Sequence, residues 1–241
     1  MTTAAVWKES PIIQRFLSYR AALPMASEQI GVMLSILGTR PEPVSRFIDL
    51  GCGDGILGAA VLGQYPDAHG LLVDFSEPML AKAREQLAGV AQQLEFLNLD
   101  YGDPAWVESV RADGPFEAIV SGYSIHHQPD ARKRAIYTEI FDLLTPGGWF
   151  VNVEHVSSAA RTSIDLFEKH YIDARYAIGL QNGETRSRSE ITDEYTHRPD
   201  KAANLLAPVE LQCDWLREIG YEEVDCYFRV YELAVFAGRR P

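Results

Sequence analysis

Basic residues are few in this chain: 22 Lys and Arg stand against 34 Asp and Glu, a formal net charge of −12 over 241 residues. That balance excludes the basic surface on which sequence-independent nucleic-acid binding runs. Cysteine is scarcer still. Cys52, Cys213 and Cys226 form no CxxC pair, so neither a disulfide framework nor a cysteine metal site is written into the chain. No apolar run reaches the length of a membrane span, and "MTTAAVWKES" lacks the apolar centre of a signal peptide. Internal repeats and low-complexity tracts are missing as well. These absences point to a cytoplasmic protein whose partner is a small molecule, not nucleic acid or membrane, with a homodimer left open. The length suits one large domain, 1–241.

What is present is an alternation. Residues 11–37 read as two helical stretches broken at Pro24, an N-terminal cap over 1–40. "RFIDLG", "GLLVDF", "LEFLNLD", "FEAIVSGYS" and "WFVNVEHV" read as five strands, each followed by helical sequence except the last. Strands separated by helices imply a parallel sheet with helices on both faces. The end departs from this: "EVDCYFRV" and "YELAVFAG" follow each other with no room for a crossover helix, so they must be antiparallel. The expected fold is an α/β, Rossmann-like, seven-stranded mixed sheet: five parallel units plus a terminal antiparallel pair. Residues 157–207 do not fit the alternation. Their polar part, "QNGETRSRSEITDEYTHRPD", is either a solvated excursion or a helical lid over a site.

Glycine is the residue spent unusually. "FIDLGCGDGILG" sets Gly51, Gly53 and Gly55 at every second position behind the first strand. A bare turn between strand and helix lets a ligand touch the backbone, and an acidic residue ending the next strand, here Asp74, then takes ribose hydroxyls. The dinucleotide fingerprint is G-x-G-x-x-G. This chain has G-x-G-x-G, with Asp49 before it and Asp54 inside it. Added carboxylates oppose a pyrophosphate and suit a ligand with a cationic end.

"DLGCGDG", "LLVDFSEPMLAKARE", "LNLDYGD", "SGYSIHH" and "LTPGGWFV" resemble, in order and spacing over roughly residues 46–156, the motif series of the class I S-adenosylmethionine-dependent methyltransferases. The resemblance implies S-adenosylmethionine as cofactor and S-adenosylhomocysteine as product. It gives Asp49 a place near the methionine ammonium, Gly51 and Gly53 a bare surface beside the adenosyl and methionine portions, and Asp74 the ribose. It sets Phe75 and Met79 beside the adenine, where both are equally good core residues. Asp100 takes the adenine amino group, with Tyr101 next to the ring. Ser121 offers main chain at the end of the fourth strand. Arg20 is either a partner for the methionine carboxylate or a surface arginine.

Methyl transfer to a neutral nucleophile needs a base, and loops at the carboxyl ends of strands four and five should supply it. The candidates are Tyr123, His126 and His127 in one loop, and Glu154 and His155 in the other. His126 and Glu154 are expected to face the transferred methyl, supported by His127 and His155. Asn152 and Glu154 share one side of their strand, taken as the cleft side. His170 and Tyr171 are candidates for a substrate wall. A metal site is not expected, because adjacent pairs on a strand and a loop do not converge easily on one ion. The tail also resembles carboxy-S-adenosylmethionine synthases of tRNA modification, but "AANLLAPVELQ" lacks the arginine which that resemblance requires; Arg186, Arg188 or Arg198 could replace it. A non-catalytic cofactor-binding protein is the remaining alternative.

Overall fold

In the computed structural model, Leu17 and residues 22–241 are described. Arg20 and most of the first expected helix lie outside the described residues. The second stretch forms α1 (Ala26–Leu37), which begins after the break at Pro24. The alternation then runs β1 (Arg46–Leu50), α2 (Ile56–Gln64), β2 (His69–Asp74), α3 (Glu77–Gln86), β3 (Leu94–Asn98), α4 (Trp106–Val110), β4 (Phe116–Gly122), α5 (Asp130–Leu143) and β5 (Leu144–His155). Two further helices follow, α6 (Arg161–Gln181) and α7 (Arg188–Thr196), then α8 (Val209–Ile219), β6 (Glu222–Val230) and β7 (Leu233–Arg239). None of the described helices is long and apolar enough to cross a membrane.

The seven strands form one sheet of order β3-β2-β1-β4-β5-β7-β6. β1 through β5 pair in parallel, and β7 inserts between β5 and β6, antiparallel to both. Period-two alternation assigns each strand residue to one of two cores. Ile48, Leu50, Ile119 and Phe150 pack with α4, α5 and α8. Phe47, Ala118, Val120, Val151 and Val153 pack on the other face with α1, α2 and α3. The strand order reverses direction between β1 and β4, so their carboxyl ends open a crevice at a topological switch point.

Residues 157–207, expected as either a solvated excursion or a helical lid, are mostly helix. Ser187 starts α7 with a capping box: its hydroxyl accepts the Glu190 N–H, and the Glu190 carboxylate accepts the Ser187 N–H. α6 carries Phe167, Tyr171 and Arg175 at four-residue spacing, hence on one helix face.

Candidate functional site

A cavity of about 740 Å³ occupies the crevice, within the range of ligand sites. Its lining comes from the turn after β1, the ends of β2 to β5, α6, α7 and residues 198–205.

At the glycine end, Gly51 and Gly53 hold left-handed backbones, with φ of 71° and 56°. One reason was expected for both; the structure separates them. A Cβ on Gly51 would lie 1.9 Å from Ser124 Oγ, so this glycine is bare to admit another part of the chain. A Cβ on Gly53 would meet nothing within 4 Å and would project into open space. Gly53→Ala should therefore cost only left-handed strain, about 1–2 kcal/mol, whereas Gly51→Ala adds a collision. Thermal melts should show the larger loss at Gly51; equal losses would contradict the assignment.

Asp74 closes the same end. Its Oδ2 accepts the Gly53 N–H at 2.9 Å and its Oδ1 the Ser76 N–H at 2.8 Å. Burial pushes its carboxyl up to about 6, against these backbone hydrogen bonds. Phe75 and Met79 line the neighbouring wall. Asp100 is exposed, lines the cavity and accepts the Gly102 N–H at 2.8 Å. Tyr101 is buried, with its hydroxyl 2.5 Å from Ser124 Oγ. The Arg132 guanidinium donates to the Tyr101 carbonyl at 2.6 and 3.1 Å, tying this loop to α5.

Two of the expected cofactor residues do not line the cavity. Ser121 is fully buried, and its hydroxyl donates to the Leu50 carbonyl at 2.7 Å; Gly122, Tyr123 and Ser124 line the cavity instead. Asp49 is buried beneath α2, where Oδ2 accepts the Gly58 N–H at 2.8 Å and Oδ1 has no hydrogen-bond partner among the described residues. Burial pushes its carboxyl up to about 7. Between the unfolded value near 4 and about 7, the folded chain keeps a proton that the unfolded chain has released. This group therefore favours the fold at low pH and costs stability as pH rises through that window. The melting temperature of Asp49→Asn should climb relative to that of the parent protein from pH 5 to 8; a constant difference would contradict a buried, raised carboxyl.

The histidine end corrects the expected geometry. Glu154 does not face the cavity. Alternation places it with Asn152 on the α5 and α8 side of the sheet, fully buried beneath the 125–127 turn. There it accepts the backbone N–H of His126 at 3.0 Å and of His155 at 2.9 Å, and its Oε1 lies 2.5 Å from His126 Nδ1. His126 and His155 line the cavity. Burial pushes the Glu154 carboxyl up to about 7. Burial, then the charges of His155 and Lys133, hold the His126 imidazole well below its ordinary value. Both groups are driven toward sharing one proton. With two backbone donors already on the carboxylate, hydrogen bonding favours a His126 proton on Nδ1, and the imidazole also hydrogen-bonds the Asn204 side chain.

His127 also lines the cavity, its Nδ1 3.0 Å from the Ala203 carbonyl oxygen. Burial pushes it down to about 3, so it is neutral. Tyr123 holds a left-handed φ of 50° at the turn, and its hydroxyl donates to Gln29 of α1 at 2.5 Å. Non-glycine strain of this kind clusters at functional sites. His170 is exposed beside Tyr231 and lines a separate shallow groove on α6, whereas Tyr171 lines the main cavity. Sequence reasoning missed Phe167, Arg175, Tyr195 and Asn204, which line it too. The four-residue spacing in "FEKHYIDAR" was the available signal for the first two. Among the described residues no group of three or more His, Cys, Asp or Glu could hold a metal ion.

Residues 47–148 match the methyltransferase domain family. A curated carboxy-S-adenosyl-L-methionine synthase from Nautilia profundicola is 21% identical over 217 residues, covering 89% of this chain and 86% of the relative. A demethylmenaquinone methyltransferase from Clavibacter sepedonicus is 25% identical over 206 residues, covering 84% of this chain and 76% of that one. The solved mitomycin 7-O-methyltransferase superposes with a TM-score of 0.63 at 17% identity, over 100% of this chain and 61% of that one. The chain spans little more than half the length of several solved proteins that it matches, 55% in two of them.

Proposed function

We propose, from the methyltransferase domain matched by residues 47–148 and the likeness to curated relatives that use S-adenosylmethionine chemistry, that this chain is a class I S-adenosylmethionine-dependent methyltransferase and that it methylates a hydroxyl group of a small-molecule acceptor bound at the histidine end of the cavity. The observation that carries the choice of a hydroxyl is His126 in the cavity wall, its Nδ1 2.5 Å from the buried Glu154 carboxylate behind it. A hydroxyl must lose its proton as it is alkylated, and a neutral imidazole with a fixed tautomer can take it.

The residues at the other end suit the cofactor. Gly53 opens a space without side chains, and Asp74 presents a carboxylate that keeps acceptor capacity beyond its backbone partners Gly53, Phe75 and Ser76. Gly51, Gly53, Asp74, Phe75, Met79, Asp100 and Tyr101 would hold S-adenosylmethionine; bound there, it supplies an electrophilic methyl group. Asp49 acts from behind, pinning α2 under the glycine turn. His126 Nε2 takes the acceptor proton. Glu154 holds the imidazole through Nδ1 and balances the imidazolium charge that develops. His127, fixed on the Ala203 carbonyl, carries a carbonyl-bonded tautomer and stays uncharged. α6, α7 and residues 198–205 cover this end and exclude water as a lid.

One observation favours a second reading, synthesis of a carboxy-S-adenosylmethionine like that of the Nautilia profundicola relative: Arg198 stands in the cavity wall, although no arginine occurs in "AANLLAPVELQ". Product analysis separates the two. With methyl-labelled S-adenosylmethionine, a carboxylic acid able to give up its carboxyl group, and a panel of phenols, thiols and amines, label should appear in a phenol, with S-adenosylhomocysteine released. A carboxylated sulfonium product would support the second reading. Label in neither product would contradict both.

A further inference from the structure

The cavity is polarised. Asp74, Asp100 and Asp103 line the glycine end; the two arginines of the lining, Arg175 and Arg198, stand at the lid end, where Asp200 is the one acid of the lining. Arg175 is 3% exposed and projects from the same face of α6 as Phe167 and Tyr171. Its carboxylate partner Glu194, at 3.2 Å, is shared with Arg186 and is not part of the lining. The Glu194 side chain is 28% exposed against 3% for Arg175, and Arg175 is part of the cavity wall. Arg198 lies over the Tyr195 ring, 4.0 Å from its centroid, and its acid Asp200 is 3.4 Å away.

Between these cations and the histidines the wall is aromatic. The Phe167 and Tyr171 rings lie 6.3 Å apart at 26°, nearly parallel. Tyr195 stands 5.3 Å from Tyr171, and His155 5.1 Å from Phe167. Flat aromatic faces receive a flat ring by offset or edge contacts. A guanidinium at the end of such a wall matches a carboxylate, which it can bind through two parallel N–H donors.

Resting on the reading of this end of the cavity as the acceptor site, we propose that the acceptor is an aromatic carboxylic acid bearing a ring hydroxyl: the ring packs on Phe167, Tyr171 and Tyr195, the carboxylate meets Arg175 and Arg198, and the hydroxyl is directed at His126. In the transfer the acceptor O–H bond breaks, its proton goes to His126 Nε2, and the oxygen pair forms the new bond to the methyl carbon. The carbon–sulfur bond breaks, with its electron pair left on sulfur, as in the established chemistry of the family.

The test is calorimetry on the full chain saturated with S-adenosylhomocysteine. The probes are 4-hydroxybenzoate, 4-hydroxyphenylacetate and 4-hydroxycinnamate, each against its own carboxamide, repeated with Arg175→Gln and Arg198→Gln. At least one acid should bind tenfold or more tightly than its amide, and the preference should collapse in either variant while S-adenosylhomocysteine affinity is unchanged. The two variants guard against a lid that fails to fold in one of them. No acid preferred over its amide would overturn the proposal, as would a preference that survives both substitutions. So would a loss of S-adenosylhomocysteine affinity in both, which would give the arginines to the cofactor. Failure of the wild-type chain to bind S-adenosylhomocysteine at all would instead overturn the methyltransferase reading beneath it.

Discussion

His126→Ala should lower turnover by about 10²–10⁴-fold, the scale of a lost general base, with S-adenosylhomocysteine binding unchanged. Glu154→Gln should fall into the same range although Glu154 touches no part of the cavity. Its carboxylate receives His126 Nδ1, the His126 N–H and the His155 N–H. An amide has one oxygen for those three donors, and its own N–H₂ faces one of them, so the imidazole loses its orientation and tautomer. A merely structural carboxylate would give a variant with lower stability and a normal pH profile. A positioning carboxylate gives one whose acid limb moves, because the raised Glu154 and the lowered His126 titrate together. The measurement is kcat against pH for the parent protein and both variants, using any acceptor phenol. A fall of less than tenfold in both would remove the pair from the chemistry and leave orientation as the source of rate.

Asp74→Ala should weaken S-adenosylhomocysteine binding by about 1.5–3 kcal/mol, the range for hydrogen bonds to a charged group. On the proposed reading ribose hydroxyls lose their acceptor, and the Gly53 and Ser76 N–H groups lose theirs, so a modest drop in melting temperature should accompany it. The pH dependence has a definite sign. The free carboxyl sits near 6, raised by burial. A ligand that donates hydrogen bonds prefers the ionised form, so affinity should decline as pH falls through about 6 in the parent protein. Asp74→Ala should lack that decline. Unchanged affinity with a lower melting temperature would make Asp74 purely structural.

Some of this was legible before any coordinates. The parallel order followed from strand and helix periods, and the antiparallel end from the missing crossover between β6 and β7. Gly53 and Asp74, picked out by the bare turn after β1 and the acid ending β2, both line the cavity. Glu154 was misdirected for a physical reason. Period two correctly put it on the side opposite His155, but sequence does not say which face is covered. The polar pair Asn152–Glu154 turned out to lie under α5 and α8, where Glu154 pairs with a histidine folded back from the next loop. Asp49 was misread in a similar way: its strand position is right, but its carboxylate reaches α2 and not the crevice. α7 could have been recognised from Ser187 and Glu190, a capping box inside a stretch whose charge suggested a loop. The arginines of the lid were visible only as charges, since a cavity wall made by two helices depends on how they pack.

The most direct measurement is a calorimetric titration of the chain with S-adenosylhomocysteine and, separately, with NAD. The bare glycine turn, and Asp74 at the end of β2, predict micromolar binding of S-adenosylhomocysteine, about −8 kcal/mol, and no measurable heat with NAD. Binding of NAD without S-adenosylhomocysteine would contradict the assignment of this crevice.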